Sequence, residues 1–372
     1  MPNNEIHIVC FDNPYPAVYG GVIDVFYKIK ALHELGVKIR LHCFVDVIPT
    51  ETSMLENLTE SCYFYKRNKS IFNFLSTKPF SVASRNHHTL WQNLNADKSP
   101  ILFEGLQSTS VLCAKCFKDR GLFLRLHNLE NNYYKGLLKS ETNLFKKILY
   151  LIESYKYDRY LNILAEFDYV FTLSKFETDY VNKLYHNAAY IPVFHGNENV
   201  AEVSEFGDYA FYNGDLRICD NKKAADFLID VFESVDNYPL IIASSIANPA
   251  LQQRCKLSKN VRYEIIRDQS HLNELSEKAH INVMLSFQES GTKLKAVNAL
   301  FQSRHVIINS NMIDDKNLQS LCVLAEIKAD YIEAIERLKL LPYNDRNNRV
   351  RILTDVLDDK KNAKNLVKDI FK

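Results

Sequence analysis

The chain has 372 residues, of which 47% are hydrophobic, and its 46 lysines and arginines almost balance its 45 aspartates and glutamates. A formal net charge of +1 excludes a global electrostatic field that would recruit nucleic acid, so any anion must be bound locally. The length suits two domains of about 150–200 residues each. No apolar run reaches the roughly 18 residues of a membrane span, and the first residues show no basic leader, so we expect a cytoplasmic protein.

Short apolar runs alternate with longer helical patterns along the whole chain, which is typical of parallel α/β layers. In the first half the predicted strands are 6–11, 38–45, 100–104, 122–127, 168–173 and 188–193, and the predicted helices are 21–35, 107–119, 141–166 and 174–185. In the second half the predicted strands are 209–213, 239–244, 261–266, 281–286, 305–309 and 322–326, and the predicted helices lie near 221–235, 248–256, 270–280, 293–303 and 329–339. Each half therefore has enough strands for its own sheet.

A polar stretch at 195–208 separates the two halves and is predicted to link two domains, at 1–198 and 208–343. The charged tail 344–372 is predicted to be helical, and its final helix suits packing on either domain, including a return to the first. Cys113 and Cys116 form a C-x-x-C pair, but they lack a second ligand pair, so we interpret them as neighbours in a helix. Because the chain also contains no D-x-D motif, we expect neither a metal nor another cofactor.

Residues 287–309 contain a polar turn with one glycine, a lysine-bearing amphipathic helix and a β-branched strand. With Ser290 as the N-cap and Gly291 allowing close approach, the first amides of the helix and Lys293 would point at a phosphate, since helix N-termini favour negative charge. The segment also fits an ordinary helix–strand unit, because no complete phosphate-loop signature is present. These residues alone leave both interpretations open.

Five segments, in order along the chain, resemble the retaining glycosyltransferases of family 4, and most closely a Bacteroidetes-like branch. They are PYPAVYGGVIDVF, LFLRLHNLE, DYVFTLSKFETDYV, YAFYNGDLRICDNKK and SGTKLKAVNALFQSRHVIIN. The resemblance implies the GT-B architecture, in which two Rossmann-like domains face each other across a cleft, with the acceptor on the first domain and the donor mainly on the second. It also implies transfer of a sugar, with retention, from a nucleotide-sugar to a hydroxyl of a saccharide or lipid-linked acceptor, in surface polysaccharide or glycolipid assembly.

In the first domain, the resemblance implies that Gly20 and Gly21 approach the donor phosphates, where a side chain would collide. It makes His127, at a strand end, a catalytic residue that contacts the transferred sugar or its leaving group. A structural histidine is the alternative. Ser174 and Glu177 have the spacing of a capping box, and we predict that they cap a helix. Four further residues would line the acceptor side, namely Glu104, Arg125, Asn128 and Glu130.

In the second domain, the resemblance makes Lys293 a second catalytic residue. The donor would be bound by Gly214, Arg217, Lys222, Ser290, Gly291, Thr292 and Asn298. The chain departs from the family pattern where Asp215 stands in place of a common arginine, and where Ser290 and Asn298 stand in place of two glutamates. These departures motivate an alternative, a non-catalytic GT-B protein that binds a nucleotide-sugar or a partner enzyme.

The predicted helix 141–166 mixes lysines with many aliphatic and aromatic residues. One interpretation is a core-facing helix with solvated lysines. The other is peripheral contact with the inner membrane, because basic and aromatic residues on one helix suit an anionic lipid surface. The residues leave both interpretations open.

Overall fold

The computed structural model describes residues 4–112, 117, 119–288 and 293–372. The chain divides into two compact units. Unit 1 comprises Met1–Lys135, Ile148–Gly196 and Leu357–Lys372, and unit 2 comprises Gly136–Lys147 and Asn197–Val356. The short segment Gly136–Lys147 therefore belongs with the second unit, although it falls inside the predicted range 1–198.

Unit 1 contains a seven-stranded sheet in which all neighbouring strands are parallel. Its strands are β1 Glu5–Cys10, β2 Lys38–Val45, β3 Ser61–Lys66, β4 Ile101–Glu104, β5 Leu122–Leu126, β6 Tyr169–Thr172 and β7 Ala188–Tyr190. Their order in the sheet is β3-β2-β1-β4-β5-β6-β7. The central strands are continuous apolar runs because they are buried on both faces. The pattern missed β3, an edge strand that is largely half-exposed.

The helices of the first half of the chain are α1 Gly20–Glu34, α2 Ser53–Glu56, α3 Phe80–Ala83, α4 His88–Leu94, α5 Glu130–Ser140, α6 Leu144–Tyr160 and α7 Lys175–Tyr185. Three 3₁₀ helices accompany them, at Ile71–Leu75, Leu106–Val111 and Leu161–Glu166. The predicted helix 107–119 is a 3₁₀ helix only up to Val111, and its later described residues are not helical. The Cys113–Cys116 pair lies outside the described residues. Helix α5 was not predicted, because its sequence has asparagines and a glycine within a weak apolar pattern.

Unit 2 contains a six-stranded parallel sheet in the order β10-β9-β8-β11-β12-β13. The strands are β8 Tyr209–Asn213, β9 Leu240–Ser244, β10 Val261–Ile265, β11 Ala279–Met284, β12 His305–Ile308 and β13 Val323–Leu324. The helices of this part of the chain are α8 Cys219–Phe232, α9 Pro249–Leu257, α10 Gln269–Lys278, α11 Leu294–Gln302, α12 Lys316–Gln319, α13 Lys328–Leu338 and α14 Arg346–Val356.

The last helix, α15 Asp359–Ile370, belongs to unit 1. Its buried Ala363, Leu366 and Ile370 join the same hydrophobic cluster as residues of α1 and β2. The Asp359 carboxylate accepts hydrogen bonds from the backbone N–H groups of His195 and Gly196. The tail therefore completes the core of unit 1 and fixes the chain at its exit from that unit.

Each sheet has a point at which the strand order reverses direction, between β1 and β4 in unit 1 and between β8 and β11 in unit 2. In open parallel α/β sheets, ligands bind outside the carboxyl ends of the strands at such points. The loops after these four strands are consequently the places to look for a site in each unit. None of the described helices has the length and apolar character to cross a membrane.

Candidate functional site

A buried charged network lies at the switch point of unit 1. Lys28 of α1 places its Nζ 3.0 Å from Asp24 Oδ2 and 2.9 Å from Glu104 Oε2, and all three side chains are buried. Asp24 and Lys28 are one helical turn apart, so α1 presents both to the end of β4. The network pairs opposite charges inside the unit, which is the condition for burying them.

Arg125 of β5 completes the pairing of Asp24. Its Nη2 is 2.8 Å from Asp24 Oδ1, and the guanidinium also donates to the carbonyl oxygens of Ile191 and Pro192 at 2.6 and 2.9 Å. Burial alone would raise the pKa of Asp24, but the charges of Arg125 and Lys28 hold it well below its usual range. Arg125 is fully buried, and its guanidinium is bound by Asp24 and by backbone carbonyl oxygens. It therefore positions Asp24 and is not exposed to a ligand.

His127 contacts this network through Glu104. Its Nε2 is 3.0 Å from Glu104 Oε2, its ring meets Phe11 edge-on with centroids 5.3 Å apart, and the residue is 7% exposed. The second oxygen of Glu104, Oε1, is buried and has no hydrogen-bond partner among the described residues. Glu104 thus orients the imidazole through one oxygen, since a hydrogen bond to Nε2 leaves Nδ1 as the other functional nitrogen.

Asp24, Glu104 and His127 offer ligand atoms within 4.8 Å of one another, a spacing that would suit a metal ion. The Lys28 ammonium contacts both carboxylates at 2.9–3.0 Å. A metal ion would have to displace this ammonium, because both would occupy the space between the same oxygens. We interpret the cluster as a set of ion pairs that positions His127.

Glycines shape the loops around His127. Helix α1 begins at Gly20, and a Cβ on Gly21 would lie 2.9 Å from Phe11 Cζ, so this glycine allows the helix to start against the Phe11 ring. Gly105, directly after β4, has φ +69°, and a Cβ there would lie 2.3 Å from Gln107 Oε1. Only glycine adopts this backbone conformation at little cost.

Glu130 is the first residue of α5, three positions after His127. Its carboxyl is buried, and Gln107 Nε2 donates to its Oε1 at 2.7 Å. Burial raises the pKa of Glu130 to about 7, against the opposing effects of Gln107 and Arg85. A carboxyl that titrates near neutral pH can exchange a proton with a ligand hydroxyl. Asn128, also predicted for the acceptor side, lies between His127 and Glu130 in sequence and is half-buried.

Ser174 and Glu177 connect α7 to the same loop. Ser174 Oγ accepts a hydrogen bond from the Glu177 N–H at 3.2 Å, so Ser174 caps the helix as predicted. The Glu177 side chain reaches the backbone N–H of Leu129, with its Oε1 at 3.3 Å. Glu177 therefore steadies the segment that carries His127 and Glu130, a role that the capping pattern did not suggest.

In unit 2, the loop after β8 holds an exposed ion pair. Arg217 Nε and Nη2 lie 2.9 and 2.7 Å from the two oxygens of Asp215. The hydrogen bonds from Arg217 lower the pKa of Asp215. Asp215, which stands where the resemblance leads us to expect an arginine, thus neutralises the charge of Arg217. Gly214 brings the chain close to Asn221, because a Cβ there would lie 3.1 Å from Asn221 Cγ, and Lys222 is exposed on α8.

The loop after β11 is tied to the start of α8. Ser286 Oγ donates to Asp220 Oδ2 at 2.9 Å, and the Phe287 N–H donates to Asp220 Oδ1 at 3.0 Å. Lys223 holds its ammonium 4.0 Å from the centroid of the Phe287 ring. Asp220, Ser286 and Phe287 therefore bring the two strand ends of this switch point together.

Helix α11, Leu294–Gln302, agrees with the predicted helix 293–303, but its N-cap residue is Lys293 and not Ser290. The Lys293 N–H donates to the Met312 carbonyl oxygen at 3.0 Å. Asn298 accepts a hydrogen bond from Asn197 Nδ2 at 2.9 Å. Three of the predicted donor residues lie outside the described residues, namely Ser290, Gly291 and Thr292.

Lys295 is a further site residue that was not predicted from the sequence. Its Nζ lies 4.8 Å from the centroid of the Tyr212 ring and 3.3 Å from Asn221 Oδ1. Burial lowers the pKa of Lys295 to about 8, with Lys293 adding to the effect and Asp220 opposing it. Helical periodicity places Lys295 largely off the apolar face of the predicted helix, and its spacing of two residues from Lys293 was the signal that could have found it. A desolvated ammonium at a helix start suits an anionic ligand.

Known proteins are similar to this chain mainly in fold. No protein-family model matches it. It is 31% identical over 199 residues to an uncharacterised 44.6 kDa protein in the cps region of Klebsiella pneumoniae, an alignment that covers 51% of each chain. The match thus spans about half the length of that curated relative.

Several solved structures cover almost the whole chain. A mutant of TarM from S. aureus, in complex with fondaparinux, α-GlcNAc-glycerol and UDP, has a TM-score of 0.68 at 11% identity and covers 99% of this chain and 100% of its own. HepE from Anabaena, in complex with UDP-glucose, has a TM-score of 0.65 at 10% identity and covers 99% of both chains. OtsA has a TM-score of 0.65 at 10% identity, with the same coverage.

These neighbours are GT-B glycosyltransferases, and the predicted α/β fold with GT-B architecture is confirmed. Identities of 10–11% show the fold alone. The assignment to family 4 and to a Bacteroidetes-like branch stays a prediction.

Proposed function

We propose that this protein is a retaining glycosyltransferase, which moves a sugar from a nucleotide-sugar to a hydroxyl of a saccharide or lipid-linked acceptor, in the assembly of a surface polysaccharide or glycolipid. The observation that carries the proposal is the set of polar and charged side chains at the switch point of each GT-B sheet, with His127 in unit 1 and Lys295 in unit 2. TarM and HepE, which share the fold, have been crystallised with UDP or UDP-glucose, which supports a nucleotide-sugar as the donor.

Unit 2 would bind the donor diphosphate. The desolvated ammonium of Lys295, together with Lys293 at the N-cap and the first amides of α11, favours a dianion over water. Arg217 would contribute after exchanging Asp215 for a phosphate oxygen, and Lys222 would add charge from α8. Asn298 would hydrogen-bond a ribose hydroxyl. Gly214 would let the backbone approach the donor diphosphate closely. The turn Ser290, Gly291 and Thr292 would do the same at the start of α11.

Unit 1 would bind the reacting sugar and the acceptor. His127, held by Glu104, would contact the transferred sugar or its leaving group. Glu130 and Asn128 would bind the acceptor hydroxyl, and Gly20 and Gly21 would let the backbone approach the donor. The departing phosphate oxygen can itself take the acceptor proton, so these residues act by positioning and by stabilising charge. We expect no metal or other cofactor, because the nucleotide-sugar is a substrate and the cations are supplied by side chains.

A panel of nucleotide-sugars, each tested with and without saccharide and lipid-linked acceptors, tests this proposal through release of nucleoside diphosphate. Release that depends on an acceptor, with a product of the same anomeric configuration by NMR, is the expected result. The matched variants are Lys295→Met and, as a control on exposed α9, Lys256→Met. Absence of both donor binding and release across the panel would overturn the proposal.

A second candidate is a non-catalytic GT-B protein that binds a nucleotide-sugar or a partner enzyme. It is favoured by the Arg217–Asp215 ion pair, which occupies a cation that the donor would need, and by Ser290 and Asn298 in place of two carboxylates. Donor binding by calorimetry without release, in the presence of every acceptor, would favour this candidate over the enzyme.

We also propose that unit 1 contacts the inner membrane peripherally from the cytoplasmic side. The apolar patch that carries this proposal comprises exposed residues of the 3₁₀ helix Ile71–Leu75 and of α6, namely Ile71, Phe72, Leu75, Ile148, Leu151, Ile152 and Tyr155. Phe72 is 75% and Leu75 82% exposed. Contiguous exposed apolar side chains of this kind mark interaction surfaces.

Cations adjoin the apolar patch and suggest an anionic lipid surface. Lys156 Nζ donates to the Phe74 carbonyl oxygen at 2.8 Å, which ties the 3₁₀ helix to α6. Arg159 lies over the Tyr155 ring at 5.8 Å, and the exposed Lys69 beside the 3₁₀ helix pairs with the similarly exposed Asp46 at 2.6 Å. Apolar side chains beside lysine and arginine bind the interface of anionic bilayers.

Flotation of the protein with vesicles tests the membrane contact. We expect binding to vesicles that contain phosphatidylglycerol, weaker binding to phosphatidylcholine alone, and loss of binding in a Phe72→Ser, Leu75→Ser double variant. Leu257→Ser, at an 83% exposed leucine of unit 2, is the matched control. Equal flotation of the double variant and the wild type would refute the role of the apolar patch.

A further inference from the structure

An open pocket of about 510 Å³ lies in unit 1, between the segment that leads into α4 and the end of the 3₁₀ helix Leu106–Val111. Its volume is in the range of pockets that hold small molecules, about 300–1,000 Å³. The residues that matter for its chemistry are Lys78, Asn86, His87, His88, Trp91 and Ser110. None of them belongs to the candidate residues for donor or acceptor binding.

One wall of the pocket is aromatic. Trp91 is the single tryptophan of the chain, and it is 42% exposed. The His88 ring runs nearly parallel to the indole, at an interplanar angle of 9° with centroids 6.3 Å apart. An exposed indole face gives a flat, rigid apolar surface, on which the C–H face of a sugar ring can lie.

The polar groups of the pocket are donors and bases. Lys78 Nζ donates to the Ser110 carbonyl oxygen at 3.0 Å, which fixes the ammonium at the pocket. Burial lowers the pKa of Lys78, so its charge is held where water solvates it poorly. His87 Nδ1 is buried and has no hydrogen-bond partner among the described residues. Among the described residues that line the pocket, none carries a carboxylate.

The ammonium of Lys78, the indole of Trp91 and the amide of Asn86 together favour an anionic ligand with an apolar ring face. A poorly solvated ammonium without a carboxylate nearby is stabilised by an anion. An indole beside it is stabilised by an apolar ring face, and Asn86 supplies an amide that both donates and accepts hydrogen bonds. A neutral sugar would satisfy the indole and the amide but leave the ammonium without a counter-charge.

We propose that this pocket binds an acidic saccharide, a sugar ring that bears a carboxylate or a phosphate, with the ring on Trp91 and the anionic group on Lys78. Asn86 and His88 hydrogen-bond to the ring hydroxyls. A uronic acid and a sugar phosphate share this chemistry. The site does not depend on whether the protein transfers a sugar, because its residues and its test involve neither donor nor turnover.

The intrinsic fluorescence of the full chain tests the proposal, since Trp91 is its single tryptophan. The probes are glucuronate, glucose 1-phosphate, glucose and inorganic phosphate, each titrated at constant ionic strength. A saturable change with glucuronate, with glucose 1-phosphate, or with both is expected, and it identifies which anionic group is bound. No saturable change, an equal response to glucose, or an equal response to inorganic phosphate would overturn the proposal.

Two variants separate the role of Lys78 from a general effect on folding. Lys78→Met, which keeps the apolar stem, should weaken binding of the acidic sugar at least tenfold, and Lys78→Arg should restore most of it. Lys256→Met, at an exposed lysine of α9, should leave it unchanged. Trp91→Ala removes the fluorescence signal, so it is measured by calorimetry, where loss of binding is expected. Undiminished affinity in both Lys78→Met and Trp91→Ala would refute the site.

Discussion

Substitution of Glu130 by glutamine should make unit 1 more stable at alkaline pH and leave it unchanged in acid. Burial raises the pKa of this carboxyl from 4.5 to about 7, so the folded state binds its proton more tightly than the unfolded state does. The neutral carboxyl therefore contributes stability that is fully present below pH 4.5 and is lost as the pH rises through 7. A shift of this size corresponds to about 3 kcal/mol, at roughly 1.36 kcal/mol for each pKa unit.

Glutamine is neutral at every pH, and its amide oxygen can still accept the hydrogen bond that Gln107 donates to Glu130 Oε1 at 2.7 Å. We therefore expect the Glu130→Gln variant to match the wild type at pH 4.5 and to exceed its free energy of unfolding by up to about 3 kcal/mol at pH 8. Urea denaturation at pH 4.5, 6, 7 and 8, followed by Trp91 fluorescence, measures this difference. Trp91 lies in unit 1 with Glu130, so the signal reports the relevant unit.

Glu333→Gln, at an exposed position of α13, is the matched control and should show no pH-dependent difference. A gap between Glu130→Gln and the wild type that is the same at pH 4.5 and pH 8 would refute the reasoning. The Glu130 carboxyl would then not be stabilised in its neutral form.

Three further predictions follow from the same contacts. Lys295→Met should weaken nucleoside diphosphate binding about tenfold or more in calorimetry, and wild-type binding should weaken above pH 8, where Lys295 loses its proton; equal affinities of variant and wild type would contradict the donor site. Glu104→Gln should lower the free energy of unfolding of unit 1 by about 3–5 kcal/mol, because Lys28 and Arg125 then share the single buried carboxylate of Asp24. A loss under about 1 kcal/mol in urea denaturation would show that the network is not tightly coupled. Leu366→Ala, in α15, should cost about 2–5 kcal/mol by the same measurement, and a neutral effect would mean that the tail does not complete the core.

Local patterns of the sequence accounted for most of the fold. Buried strands are short apolar runs and surface helices repeat every 3.6 residues, so both can be recognised without knowing their neighbours. All strands of both sheets except β3 were predicted, and most ends of the predicted helices agree within two residues. The helices that were not predicted are α2, α3, α4, α5 and α12. The edge strand β3 was not predicted because only one of its residues, Tyr65, is buried. Helix α5 failed because Gly136 and its asparagines weaken the helical pattern.

The strand-end positions of His127, Glu104 and Gly214 could be inferred from sequence, because the carboxyl ends of parallel strands meet at one edge. The contacts that give these residues their chemistry could not. Lys28 reaches Glu104 across 76 residues, and Arg125 reaches Asp24 across 101. Such pairs depend on which strands are neighbours in the sheet, and periodicity does not contain that information.

The sequence by itself determined the two parallel sheets, their strand ends and the polar residues that follow them, because each of these depends on neighbouring residues in the chain. Only the tertiary structure decided what those residues face. It buried Glu130 and raised its pKa to about 7, set Lys295 over Tyr212, and paired Arg217 with Asp215. Desolvation and charge pairing are properties of the packed surroundings, and these surroundings come from segments that are distant in the chain.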